Sequence, residues 1–390
     1  ACAGTPPLFR FAGRRSRAPG ESMDPTAHTF TGMALAAAGL RRATPLPATA
    51  LFMGANAPDV DVFSGFVADY ESVAFRRGWT HGVVALALWP FVLTGVLLAW
   101  DRYVRLKRKP DAAPARAGPL LVLTAIAVVS HPTLDWLNNY GLRWLMPFSG
   151  RWFYGDALFV IDPWVWLVLG GAAFLTFSKS KLARVRWAVF CTLASWLIFA
   201  NTELVPTTSA ALWLGGVAAF VAARWWLRDA PPVKLERAAQ AGIAVTAVYM
   251  VGMVGASAAA RADVRAAAAA QGIVAEDVMV APVPADPFRG QVVVMTRDEY
   301  YTGEFDWLGE PRFRLGGARI PRPRGVAFEL ASQAPAARRF LVWSRYPAID
   351  LEPDRGAIRV TFTDVRYRAG NQLEGPKVYL PASAVESGGD

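Results

Sequence analysis

Apolar residues in this chain come in long runs. About 20 of them in a row suffice to cross a bilayer. Six candidates stand at Val83–Trp100, Pro119–Leu137, Leu158–Phe177, Trp187–Val205, Ser209–Leu227 and Ala238–Ala260. Two shorter runs precede them, His28–Leu40 and Leu46–Ala57, split by Arg41, Arg42 and Pro45. Each is too short for a comfortable span, so the pair predicts a re-entrant hairpin or two short tilted helices. From Arg261 the pattern changes. An Ala-rich helical extension leads into runs with strand character, Gln291–Thr296, Val326–Leu330, Arg339–Tyr346 and Ala357–Tyr367, separated by Gly/Pro-rich stretches. The predicted fold is therefore mainly α. A polytopic helical membrane domain covers residues 23–260, and a smaller β-rich extramembrane domain covers residues 261–390. Residues 1–22 carry Arg10, Arg14, Arg15 and Arg17 but no apolar core for a secretory signal. They read as an upstream extension or a disordered arm.

Composition agrees with that reading. The chain is 54% hydrophobic and 18% charged with a mean hydropathy of +0.26, against about 25% charged in a soluble domain. A disordered chain, a collagen-like repeat and an ordinary cytosolic enzyme are excluded. The net charge of +10 is unevenly placed, because residues 261–390 balance 17 Lys/Arg with 17 Asp/Glu. Alternate loops are basic: 101–118 has six Lys/Arg, 178–186 four and 228–237 three, while 138–157 has two and 201–208 none. Thirteen against two sets an orientation in a bacterial inner membrane, basic loops in the cytoplasm. The other loops and the C-terminal domain then face the periplasm or exterior. The excess positive charge is accounted for by orientation, and no nucleic-acid partner is expected. Cys2 and Cys191 give neither a disulfide framework nor a thiolate zinc site. Oligomeric state is not legible.

Ionisable groups at membrane depth are costly and default to functional candidates. The polar residues gather in four stretches: HTFTG (His28–Gly32), APDVD (Ala57–Asp61), RRGWTHG (Arg76–Gly82) and SHPTLDWLNNYG (Ser130–Gly141). The chain has three histidines, and each lies in one of these stretches. His131 and Asp135, four residues apart, share one face of a helix and can reach one ion. Asp59 and Asp61 flank one residue after a proline, so an extended segment presents both on one side. If the short hairpin turns at Arg41–Arg42 in the cytoplasm, His28, Asp59, Asp61, His81, His131 and Asp135 all reach one level near the exterior face. Carboxylate and imidazole ligands suit Zn²⁺ or Mn²⁺, with one or two ions.

The stretches APDVD, RRGWTH and SHPTLDWLNNYGLRWLMPFSGRWF resemble the YdjM-like inner-membrane metal-dependent hydrolases, some of them regulated by LexA, over residues 24–165. That family is distantly similar to zinc-dependent phospholipase C and P1-type nucleases. The resemblance implies metal ligands at His28, Asp59, Asp61, His81, His131 and Asp135. Two positions depart from the pattern. Many members have His-Arg-Gly where this chain has Arg76-Arg77-Gly78, and His directly after P-D-x-D where it has Val62.

A centre of this kind acidifies a water and polarises a phosphoryl oxygen. Asp61 or Asp59 is the candidate general base. Arg143 and Arg151 are candidate phosphate ligands, joined by Asn138 and Asn139 as substrate-binding residues. Thr80, Asp156 and Asp162 are expected to support the ligands or start helices. The expected function is metal-dependent hydrolysis of a lipid or amphiphilic phosphoester at the exterior interface, with membrane lipids as partners. The alternative is a transporter or assembly factor with a structural metal. An intramembrane metalloprotease would need an H-E-x-x-H that the chain lacks.

Overall fold

The computed structural model describes residues 24–66, 74–200, 205–368 and 374–386. The extension expected over residues 1–22 lies outside them. The helical part comprises α1 (Pro25–Ala37), α2 (Pro47–Asn56), α3 (Val83–Trp100), α4 (Ala117–Trp136), α5 (Pro163–Phe177), α6 (Lys181–Ala200), α7 (Thr207–Trp226) and α8 (Pro232–Ala270). Local chemistry sets the starts. Pro25, Pro47, Pro163 and Pro232 each stand in the first turn, where a missing N–H costs nothing. Asp24 and Asp162 cap α1 and α5, accepting from Ala27 N (2.9 Å) and from Trp164 N (2.9 Å).

Among the described residues, four helices are long and apolar enough to cross a bilayer: Val83–Arg108, Ala117–Trp136, Lys181–Ala200 and Pro232–Ala270. The chain is thus mainly helical and membrane-compatible. The fourth predicted run, Trp187–Val205, is helical through Ala200, and residues 201–204 lie outside the described residues. Two other predicted spans differ. The Leu158–Phe177 run becomes helical only at Pro163, behind the Asp162 cap. Its 15 residues rise about 22 Å at 1.5 Å each, short of a hydrocarbon core of about 30 Å. Helix α7 has the length, but Thr207, Thr208, Ser209 and Arg224 dilute its apolarity.

The predicted short hairpin is present as α1 and α2, and α1 packs on α2, α5 and α8 while α4 packs on α2 and α3. The basic turns collect at one end. Arg41 and Arg42 at the hairpin tip both pair with Glu236 in the first turns of α8 (3.1 and 2.7 Å). Arg116 N donates to Thr44 Oγ at 2.9 Å, and Arg224 Nε to Ser178 Oγ at 3.0 Å. His28, Asp59, His81 and His131 are at the opposite end. A reporter fused after Gly118 or Arg186 is therefore expected to read cytoplasm, and one at the C-terminus exterior. A cytoplasmic C-terminal reading would reverse the side assigned to the cluster.

The C-terminal part has a four-stranded antiparallel sheet in the order β1 (Asp277–Val283), β2 (Asp286–Met295), β3 (Glu299–Asp306), β4 (Phe313–Pro321). A second, three-stranded antiparallel sheet follows as β5 (Pro347–Asp354), β6 (Ala357–Asp364), β7 (Glu374–Pro381). The predicted strand Gln291–Thr296 lies in β2 through Met295, and Ala357–Tyr367 lies in β6 through Asp364, after which Val365–Arg368 form a short helix. The runs Val326–Leu330 and Arg339–Tyr346 are corrected. Val326–Leu330 belongs to helix α9 (Val326–Ser332) and Arg339–Trp343 to helix α10 (Pro335–Trp343), while Ser344–Tyr346 lead from it into β5. Ala337, Phe340 and Trp343 recur every third residue on the buried side after Pro335, a helical spacing hidden inside an apolar, β-prone composition.

Asp364 closes β6 and organises this domain. It accepts from Ser344 Oγ (2.7 Å), Arg345 N (2.8 Å) and Arg366 Nε (2.9 Å). Burial alone would raise its carboxyl, but the Arg366 guanidinium and these donors hold it below the usual carboxylate range. A depressed native pKa contributes stability above the unfolded value of about 4 and loses it as pH falls through the native value. The C-terminal domain is therefore expected to lose stability in acid, and Asp364→Asn to cost about 3–5 kcal/mol by leaving Arg366 buried without its counterion. Chemical unfolding of wild type and variant from pH 7 to pH 3 checks both.

Candidate metal centre

The site is built at the C-terminal end of α4. The buried stripe Leu120, Leu123, Thr124, Ala127 and Val128 continues one turn further as His131 and Asp135. The same periodicity that buries leucines thus buries an imidazole and a carboxylate. Helix α2 comes unusually close. A Cβ on Gly54 would lie 2.7 Å from the Ala127 Cβ, so only glycine permits the approach. That contact brings the Ala55 carbonyl to His131 Nδ1 at 2.7 Å. A carbonyl only accepts, so Nδ1 carries a proton, and in the neutral ring the Nε2 lone pair is free.

His81 is fixed in the same sense. Its Nδ1 meets Thr80 Oγ at 2.9 Å and Asp61 Oδ2 at 3.3 Å, and the Thr80 hydroxyl donates to Asp61 Oδ2 at 2.9 Å. This places a proton on Nδ1 and, in the neutral ring, leaves Nε2 bare. The two Nε2 atoms then face each other at 3.1 Å. Asp135 Oδ2 is 3.2 Å from one and 3.3 Å from the other. Asp59 Oδ1 stands a little further away, 3.4 Å from His131 and 3.7 Å from His81. Both oxygens of Asp59 and Oδ2 of Asp135 are buried with no hydrogen-bond partner. Lone pairs facing lone pairs at such distances repel unless a positive charge lies between them.

The donor set fits a divalent ion. Bonds of about 2.0–2.1 Å in tetrahedral geometry give ligand–ligand edges of about 3.3 Å, and the observed separations run from 3.1 to 3.7 Å. Two neutral imidazoles and two carboxylates carry the charge that such an ion would balance. Of the six expected ligands, the structure brings Asp59, His81, His131 and Asp135 within 4.8 Å of one another. His28 and Asp61 lie beside this group. His28 stacks on His131 with ring centres 3.7 Å apart, its Nε2 3.6 Å from Asp135 Oδ1.

Asp61 lies behind His81, and this corrects the extended segment expected for Asp59 and Asp61. Ala57–Phe66 is a 3-10 helix. At three residues per turn, positions two apart point about 240° apart. Asp59 therefore faces the histidine pair, while Asp61 accepts from Arg77 N at 2.9 Å as well as from Thr80. Such a carboxylate–imidazole contact holds a ligand ring in place.

Arg77 was not singled out by the sequence. It is buried, donates from Nη2 to Asp135 Oδ1 at 2.9 Å and from Nη1 to Asn138 Oδ1 at 3.0 Å. A buried arginine within a polar stretch at membrane depth was the available signal. Arg76 is buried with Nε 3.9 Å from Asp61 Oδ1.

The remaining expected residues scatter around this core. Asn138 Oδ1 also accepts from Tyr140 N and Gly141 N (2.9 and 3.3 Å), closing a turn in which Gly141 has φ +78°. Asn139 is buried and presents its backbone carbonyl to the C-terminal domain. Arg143 is buried and gives one guanidinium nitrogen to the carbonyls of Ala74, Phe75 and Arg76, so it shapes the turn carrying Arg77. Arg151 is exposed, above the Phe153 ring. Asp156 pairs with Arg345, and the Asp162 cap accepts from Tyr249 at 2.9 Å.

A small cleft of about 20 Å³ borders the cluster on the His28 and Asp135 side. Leu134, Leu158, Phe159, Val160 and Val165 give it apolar walls, and Asp24, Asn138 and Asp162 supply polar groups. Burial pushes the Asp24 carboxyl up to about 7, against the opposing hydrogen bonds from Ala27 and Trp166.

Comparison with known proteins follows the same residues. Residues 23–204, which include the cluster and the cleft, match the family described as YdjM inner membrane protein. This segment is similar to the YdjM family. The YdjM segment contains all six expected ligands, and the two β-sheets lie outside it. A curated relative, the uncharacterized protein YfhP of Bacillus subtilis (strain 168), is 26% identical over 155 residues, 37% of this chain. The match spans 43% of that relative's own length. No solved structure matches the chain significantly.

Proposed function

We propose that the protein is a membrane-bound, metal-dependent hydrolase of an amphiphilic phosphoester. The observation that carries the reading is the pair of bare Nε2 atoms 3.1 Å apart, flanked by carboxylate oxygens without hydrogen-bond partners. His81, His131 and Asp135 would hold the ion, Zn²⁺ or Mn²⁺ by donor type. When bound, it would supply Lewis acidity toward a phosphoryl oxygen and lower the pKa of a coordinated water. The chain's own residues divide the rest of the work. Asp59 stands at the looser vertex, and its Oδ2 is free to take a proton from the attacking water. Arg77 holds Asp135 by one oxygen and leaves the other toward the histidines. Asp61 and Thr80 keep the His81 proton on Nδ1. The apolar side chains beside the cluster favour a substrate with an apolar portion, which a lipid or lipid-linked phosphate provides. A site on the exterior side of a bacterial inner membrane would meet such molecules directly.

One observation favours the alternative, a non-catalytic membrane protein with a structural metal. Four buried protein groups surround one point, and closed four-ligand sites are the pattern of structural zinc, whereas catalytic sites keep a position for water. The two readings differ on whether Asp59 binds metal or moves a proton. A panel of lipid and lipid-linked phosphoesters, assayed in liposomes with chelation and metal re-addition, tests the first. Metal-replete protein inactive across the panel would favour the second.

A further inference from the structure

The C-terminal domain lies outside the YdjM segment, yet it reaches the metal-centre residues through a continuous chain of short contacts. Arg366 is buried, and Asp364 takes its Nε and Nη2 at 2.9 Å each. That fixes the plane of the guanidinium and aims Nη1 at the Asn139 carbonyl, 2.7 Å away. The adjacent Asn138 Oδ1 accepts from Arg77 Nη1, and Arg77 Nη2 donates to Asp135 Oδ1. Tyr140 reinforces the same route from the other side. Its ring covers Arg77 at 4.5 Å and packs at 5.3 Å from Trp343 in the C-terminal core. A second clamp holds the return of this loop. Arg345 grips Asp156 with both carboxylate oxygens at 3.1 and 2.9 Å, while Gly155 N and Ala157 N bond the carbonyls of Trp136 and Leu137 at 2.7 Å each.

We propose that Arg366 is a positioning residue for the metal centre, acting through Asn139, Asn138 and Arg77 on Asp135. The proposal rests on the metal reading of the cluster. Its physical content is directional. Asp135 has two oxygens and several donors nearby. The Arg77 fork, anchored at its far side by Asn138, takes Oδ1 and leaves Oδ2 for the ion. A loop released from Arg366 would let Asn138 turn, free Arg77, and let Asp135 rotate away from the histidine pair. Simple docking of the domain, by contrast, would affect stability and leave the centre unchanged.

The test compares wild type with Arg366→Met and Arg366→Lys in the full-length, detergent-purified protein. Three quantities are read: zinc affinity by chelator competition, the visible absorption of the cobalt(II)-loaded protein, and amide exchange in the Arg76–Gly82 turn. Positioning predicts that Arg366→Met weakens zinc by about 10–100-fold, the usual range for groups that orient ligands. It also predicts a changed cobalt spectrum and faster exchange in that turn. Arg366→Lys keeps the charge beside Asp364 but not the fork, so it should shift all three in the same direction by less. Should the Met variant fail to fold, the Lys variant carries the same readings. Wild-type affinity, spectrum and exchange in a variant that merely melts earlier would overturn the proposal. If wild type takes up neither zinc nor cobalt, the metal reading itself fails. The wiring then stands or falls on exchange in the turn alone.

Discussion

Purified His131→Ala protein is expected to be almost free of divalent metal, whereas wild type should carry close to one equivalent of zinc or manganese. The expectation follows from what surrounds the ring. His131 is fully buried, oriented by the Ala55 carbonyl, and its Nε2 lies 3.1–3.4 Å from the nearest ligand atoms of His81, Asp135 and Asp59. Removing it leaves two carboxylates and one imidazole, with a ring-sized gap where the fourth ligand stood. The loss should exceed the 10–100-fold typical of orienting groups, because a donor itself is gone. Neutral imidazole is the ligand form, so metal retention in wild type should also fall on acidification. Elemental analysis of both proteins after the same dialysis decides the point. Equal metal in the two would remove His131 from the centre, and with it the argument from opposed lone pairs.

Asp59→Asn should separate the enzyme from the scaffold. If Asp59 is the base, the amide keeps its shape and most of the metal but cannot take the proton, and turnover should fall by about 10²–10⁴. If Asp59 is instead the fourth ligand of a closed structural site, the same change should lower metal content along with stability, and no phosphoester activity exists to lose. Metal analysis and the substrate panel on one preparation distinguish these outcomes. Activity that survives both chelation and Asp59→Asn would place the chemistry elsewhere in the chain.

Much of this was legible in the sequence, and the reason is the membrane. Where apolar residues dominate, each His, Asp or Arg stands out, so the four polar stretches could be read as one site before any geometry was known. The i, i+4 spacing of His131 and Asp135 then translated directly into a shared helix face. Secondary structure inside those stretches was harder. P-D-x-D reads as extended by its proline, but the segment winds as a 3-10 helix and sends Asp59 and Asp61 in different directions. Arg77 was overlooked because a basic residue near a span edge looks like an anchor, and only the fold shows it facing Asp135. The helices at Val326 and Pro335 were hidden by β-branched and aromatic residues whose three-residue spacing is short and easily taken for alternation.

The contact between Arg366 and Asn139 also sets a schedule. The two residues are 227 positions apart, and a ribosome adding about 5–20 residues per second needs about 10–45 s to cover that distance. The histidines and carboxylates are thus all synthesised well before the arginine that grips their loop. During biosynthesis the membrane helices must wait with that loop untethered until the last hold on it arrives.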